Sequence, residues 1–210
     1  MLFNSVPFIF AFLPAAVIGF FGFARIAGPK FAIAWAAAAS LLFYGWSDPL
    51  RLLPLILVSI AFNFAIGRRL GLEHSRGLLF IGVAGNLLLL SYYKYAGFLL
   101  ENLTYLTHHT FELQAIELPI GISFFTFTQI AFLVDTYRSE VREYTPIKYG
   151  LFVTYFPHLI AGPIIHHKEI MPQFDARQTY TPQLESIVRC LTWFAAGLFK
   201  KVLLADNLGP

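Results

Sequence analysis

Charge is what this chain has least of. Of its 210 residues, 15 are lysine or arginine and 12 are aspartate or glutamate, 13% in all, where a soluble domain carries about a quarter. Hydrophobic residues make up 57% of the chain, and a water-soluble fold cannot hide that much apolar surface, so the chain reads as an integral membrane protein. Cysteine is nearly absent too: Cys190 stands alone and excludes an intrachain disulfide framework. No repeat with a period of about 20–50 residues and no low-complexity tract interrupts the pattern, so residues 1–210 are read as a single membrane-embedded domain. The formal net charge is only +3, with the basic residues in short clusters between apolar runs. That suits topology signals, not a nucleic-acid surface.

What is present is a series of charge-free stretches, and about 20 apolar helical residues cross a bilayer. Met1 to Ala24, Phe31 to Ser47, Leu52 to Gly67, Gly77 to Tyr93 and Leu118 to Val134 carry no charge and read as spanning helices. Two further runs, Tyr149 to His167 and Cys190 to Phe199, are weaker candidates. The opening stretch has no basic n-region, which favours a retained first helix over a cleaved signal peptide. Lysine and arginine concentrate in Arg25–Lys30, Arg68–Gly77 and Arg138–Lys148, while the stretch from Leu100 to Glu117 holds three glutamates and no lysine or arginine. The positive-inside rule then puts those three loops in the cytoplasm and the N-terminus outside. A full crossing by Tyr149–His167 would strand Lys168, Arg177 and Arg189 on the wrong side.

Backbone chemistry offers a way out. Pro157 and Pro163 lack an N–H and clash with the preceding turn, Gly162 disfavours helix, and residues before proline avoid the α region. The expectation is an all-α, multi-pass protein with a broken or re-entrant segment near 155–167. Non-helical backbone at membrane depth survives only when buried in protein or lining a wet cavity, so Pro157, His158, Gly162, Pro163 and His166 become candidates for a polar cavity.

Five stretches resemble one family. "LPIGISFFTFTQIAFLVDTYR" (118–138), "YFPHLIAGPIIHHKEIMPQF" (155–174) and "GLFKKVLLADNL" (197–208) are similar to signature blocks of the membrane-bound O-acyltransferase family. They are most similar to its alginate O-acetyltransferase branch, which "SLLFYGWSDP" (40–49) and "LSYYKYAGFLLENL" (90–103) also match. The resemblance implies transfer of an acyl group, typically acetyl, onto hydroxyls of an exopolysaccharide such as alginate, in a bacterial inner membrane, where the outside N-terminus read from the charge pattern is periplasmic. It implies no resident cofactor, an acyl donor such as acetyl-CoA or an acyl carrier as co-substrate, and periplasmic polysaccharide-modifying partner proteins. The family's candidate base is a histidine on a later helix whose motif does not occur here, so these residues are expected to be the N-terminal portion of a longer enzyme, inactive alone. A catalytically inactive fragment or non-enzymatic membrane scaffold is the alternative. A transporter would show two related halves.

Acyl transfer needs a general base with a pKa near neutrality and donors for the developing oxyanion. His158 and His166 are the candidate bases within this chain, though an imidazole that satisfies freed carbonyls explains either one. A metal site is not expected, since His158 has Gly162 one turn away and no carboxylate nearer than Glu169. Asp135 ends a long apolar run in the "DTYR" block, either paired locally with Arg138 or part of a buried polar network near the donor site. Lys94, between Tyr93 and Tyr95, reads as an interface marker.

Overall fold

The computed structural model describes residues 3–47, 52–107, 117–141, 143, 145–159, 162 and 165–205. Among these residues all regular structure is helical, as the composition required. The chain divides into two compact units, Met1–Ala36 with Gln173–Pro210, and Ala37–Pro172.

In the first unit a π-helical turn, Phe8–Phe12, runs directly into α1, Leu13–Ile26. The start of α2, Pro29–Ser47, is tied to it: the Trp35 indole N–H donates to the Ala16 carbonyl at 3.0 Å. Phe20 stacks on Tyr180 at 5.6 Å, which anchors the 3-10 turn Arg177–Tyr180. The short apolar run expected near Cys190 is one part of an amphipathic helix, α9 (Leu184–Phe199), with no buried residue.

The second unit carries the candidate site. It contains the end of α2, then α3 (Leu53–Glu73), α4 (Arg76–Thr107), α5 (Ile122–Tyr137), α6 (Pro146–Thr154), the one-turn α7 (Phe156–Leu159) and the first residues of α8 (His167–Asp175). Small residues let these helices approach closely. A Cβ on Gly67 would stand 2.5 Å from the Phe132 ring, and one on Gly82 would stand 2.6 Å from Leu133 Cδ1. Buried polar side chains then link the helices. Asn63 and Asn86 donate to each other's carbonyl oxygens. Gln129 donates to Ser59 Oγ at 2.9 Å, and the Tyr149 hydroxyl donates to Gln129 Oε1 at 3.3 Å. Asn63 also donates to the Ser59 carbonyl at 3.0 Å, so one connected network joins α3 to α4, α5 and α6.

Among the described residues, three helices are long and apolar enough to cross a membrane: Phe8–Ile26, Leu53–Glu73 and Arg76–Thr107. The expected run of five is therefore cut to three by that measure. α2 begins with Pro29 and Lys30, which dilute its 19 residues. α5 has 16 residues, about 24 Å, because Pro119 and the left-handed Gly121 (φ 72°) hold off its first turn.

The broken segment is where the prolines put it. α6 stops at Thr154, Tyr155 takes φ −51° and ψ 106°, and α7 restarts with Pro157 in its first turn, where a missing N–H costs nothing. The Phe156 N–H, left without a helical acceptor, donates to Ser40 Oγ at 3.3 Å. The path goes out and back along α5. Tyr149 lies 4.6 Å from the Phe132 ring, and Leu159 has reached Gly121, 11 residues or about 16 Å away along the helix. By His167 the chain is beside Phe132 again, at 5.4 Å.

Two contacts bring the turn after α3 and the loop after α5 to one end of the unit. The His74 and Ser139 side chains hydrogen-bond at 2.6 Å, and the Arg76 guanidinium donates to the Tyr137 hydroxyl at 3.4 Å. These are two of the basic loops that the charge pattern assigns to one side. Lys94 donates to Ser123 Oγ at 3.5 Å near the other end of α5, about 27 Å along α4 from Arg76.

Candidate site at the C-terminal end of helix α5

Asp135 sits in the last turn of α5 and is 4% exposed. Its Oδ2 is 2.8 Å from Nδ1 of His166, whose side chain is 42% exposed. A carboxylate only accepts, so Nδ1 is the donor. The neutral imidazole then keeps its lone pair on Nε2, the form in which a histidine can take a proton.

The two residues that follow extend the joint. Lys168 Nζ donates to Glu140 Oε2 at 2.6 Å, and this pairing lowers the Glu140 carboxyl and raises the Lys168 ammonium from their ordinary values. His167 is buried between the Phe132 and Phe152 rings, 5.4 and 5.0 Å away. Its Nε2 is 3.6 Å from Glu143 Oε2, too far for a hydrogen bond, and that nitrogen has no other partner among the described residues. Burial pushes the Glu143 carboxyl up. The His167 ring and the Thr145 N–H, which donates to Oε1 at 2.7 Å, more than offset it, so Glu143 lies below the usual value. The amide is the firmer of the two contacts.

The residues singled out in the sequence fall in two places. Asp135 and His166 are in contact, and Arg138, exposed at the C-cap of α5, is close enough to bear on Glu140. Pro157, His158 and Gly162 belong to the other end. Leu159, next to His158, packs on Gly121, which is 14 residues or about 21 Å from Asp135 along α5. His158 is 5% exposed, its ring lies 5.8 Å from Tyr155, and neither ring nitrogen has a hydrogen-bond partner among the described residues. Gly162 folds back on it, since a Cβ there would stand 3.2 Å from His158 Cα. Pro163 lies outside the described residues. The two groups are therefore separated along the length of α5.

Glu140 and Glu143 were not picked out as site residues from the sequence. The signal was there: three consecutive basic or titratable residues, 166–168, and three acids within 135–143. Which would pair with which depended on the chain doubling back along α5. Among the described residues no three His, Cys, Asp or Glu side chains gather as metal ligands would.

The profile of the membrane-bound O-acyltransferase family matches residues 31–210. The chain is 38% identical to a peptidoglycan O-acetyltransferase of Helicobacter pylori over 99% of its own length and 45% of that protein. It is 37% identical to a "probable alginate O-acetylase" of Pseudomonas aeruginosa, over 99% of its length and 40% of the relative. A similar protein of Azotobacter vinelandii is 34% identical, over 100% of this chain and 42% of the relative. The chain thus spans less than half the length of these curated relatives, and no solved structure matches it. A family match over most of the chain, joined to an all-helical structure with membrane-crossing helices, makes this chain a multi-pass membrane protein that belongs to the membrane-bound O-acyltransferase family.

Proposed function

We propose that these residues form part of a membrane O-acetyltransferase that moves acetyl from an activated thioester onto hydroxyls of a cell-surface glycan. The observation that carries this reading is similarity across essentially the whole chain to a peptidoglycan O-acetyltransferase and to alginate O-acetylases. The glycan class is left as wide as those two names, with an exopolysaccharide such as alginate the narrower expectation.

The donor, acetyl-CoA or an acyl carrier, approaches the end of the second unit that holds Asp135, Arg138 and His166. Basic residues of the loops assigned to the cytoplasm lie there, and cations attract a phosphate-bearing donor. Their pull is reduced where Lys168 is engaged by Glu140. No resident cofactor is invoked. The segment 149–167 is re-entrant in this reading, which leaves Lys168 on the cytoplasmic side, and the N-terminus is periplasmic in a bacterial inner membrane. Periplasmic partner proteins complete glycan modification. The general base comes from sequence outside these 210 residues, so the chain by itself inserts without catalysing transfer.

The test is a chimaera of residues 1–210 with the remaining part of the Helicobacter pylori relative, assayed in membrane vesicles with radiolabelled acetyl-CoA and purified peptidoglycan or alginate. Acetyl transfer by the chimaera, with none by the 210-residue chain, is the expected result. An inserted chimaera that transfers nothing to either glycan overturns the function. Transfer by the 210 residues alone overturns the assignment of the base.

A further inference from the structure

Helix α9, Leu184–Phe199, buries none of its residues. Leu184, Ile187, Val188, Leu191, Leu198 and Phe199 recur at helical spacing along one face, and Leu184 and Leu191 are 77% and 59% exposed. Glu185, Arg189 and Ala196 turn to the other side, where the Arg189 guanidinium donates to Glu185 at 2.7 Å. Within α9 Trp193 is the exception, a large exposed ring on the charged side.

The helix does not suit a crossing of the bilayer. Its 16 residues reach about 24 Å, short of a hydrocarbon core of about 30 Å. The π-helical turn that continues it, Lys200–Ala205, begins with two lysines, and no part of 184–205 is among the helices apolar enough to span. Its depth is set by α1. Tyr180, four residues before α9, stacks on Phe20 at 5.6 Å, and Phe174 meets the same ring edge-on at 6.5 Å. Phe20 is five residues, about 7.5 Å, from Arg25, where α1, a helix able to cross, reaches a basic loop. The chain therefore enters α9 within about two turns of the end of a crossing helix, at the level of the membrane interface.

We propose that α9 lies flat on the inner face of the membrane, with its apolar stripe among the acyl chains and its basic groups on anionic phospholipid headgroups. Arg25 and Lys30 mark that end of α1 as the one that the charge pattern gives to the cytoplasm, whose leaflet is the negatively charged one. From 175 to 205 the four bases Arg177, Arg189, Lys200 and Lys201 face two acids, Asp175 and Glu185, so the charge of the segment complements that surface. A helix with an apolar stripe and a charged opposite side binds in the interface plane, and Trp193 then sits at headgroup level, where indole rings collect. The assignment goes beyond the proposed function and takes from it only the orientation.

The test uses the full chain in vesicles of phosphatidylcholine with phosphatidylglycerol. In the Cys190→Ser background, which removes the lone cysteine, a nitroxide is attached at Leu191→Cys on the stripe or at Ala196→Cys on the charged side. Oxygen collects among acyl chains and a nickel chelate stays in water, so the ratio of the two accessibilities measures immersion; it should be several-fold higher at 191 than at 196. A fluorophore at 191 should be quenched more by brominated phosphatidylglycerol than by brominated phosphatidylcholine, and this preference should fall about fivefold for each of Lys200→Gln and Lys201→Gln. Equal immersion at 191 and 196 overturns the proposal. So does a label at 191 shielded from both reagents, the mark of cover by protein: a second copy if the labels broaden one another, the remaining part of the enzyme if shielding arises only in the chimaera with the Helicobacter pylori relative. Quenching without preference for phosphatidylglycerol overturns the anionic partner. Since no acetyl transfer is read, failure here and failure of the proposed function are separate results.

Discussion

The carbonyl oxygen of Leu159 lies 2.5 Å from the point where a Cβ on Gly121 would stand. This contact locks the turn of the broken segment onto the first residue before α5, and two properties of glycine meet there: a left-handed backbone at φ 72° and the absence of a side chain. Gly121→Ala should destabilise the protein by at least about 1–2 kcal/mol from the backbone alone, with more from displacing α7. Gly97→Ala, on α4 with nothing within 4 Å, is the control and should be neutral or mildly stabilising. Thermal unfolding in detergent measures both, and equal midpoints would mean that α7 moves aside without cost.

The reciprocal hydrogen bonds of Asn63 and Asn86 join α3 to α4 inside the buried network. A double-mutant cycle with Asn63→Ala and Asn86→Ala should give a coupling of about 0.6 kcal/mol and at most about 1.7 kcal/mol, the average and the maximum found between membrane helices. Each single change leaves the other amide short of a partner, so the two single losses should sum to more than the loss in the double variant. Strict additivity would show that the pair does not bind the helices together.

Acid should act on the loop through Glu143. Its folded value lies below the ordinary one, so its contribution to stability is present above the unfolded glutamate value of about 4.3 and is lost as pH falls through the lower folded value. Glu143→Gln should therefore lower the unfolding midpoint at neutral pH and make no difference in strong acid. A gap between parent and variant that persists below about pH 3 would contradict the assignment. Glu140 is shifted in the same direction by Lys168 but lies in water, and its removal should matter less.

Topology gives a prediction independent of chemistry. Reporter fusions at Leu72 and Tyr105 should show the end of α3 in the cytoplasm and the far end of α4 exported. α4 has 32 residues, about 48 Å, against a hydrocarbon core of about 30 Å. A fusion at Tyr105 therefore lies close to the far end of α4, beyond Lys94. The reverse pattern would invert the assignment of every loop.

Membrane class, helical content and the place where a helix must break were all legible in the amino-acid order, because each depends on residues close in sequence. Apolar runs must pair their backbone internally, lysine and arginine clusters fall between those runs, and Pro157 cannot supply an N–H to a continuous helix. The structure decided what depends on distance through space. Helix α5 is shorter than its apolar run, since the left-handed Gly121 sets where its first turn begins. His158 and His166, eight positions apart in the chain, lie toward opposite ends of α5 because the segment between Tyr149 and His167 goes out to Gly121 and returns. That return sets Asp135, Glu140 and Glu143 against His166, Lys168 and His167, and no pattern in the order of residues specifies such pairings, because a charge attracts whatever opposite charge the fold brings near it.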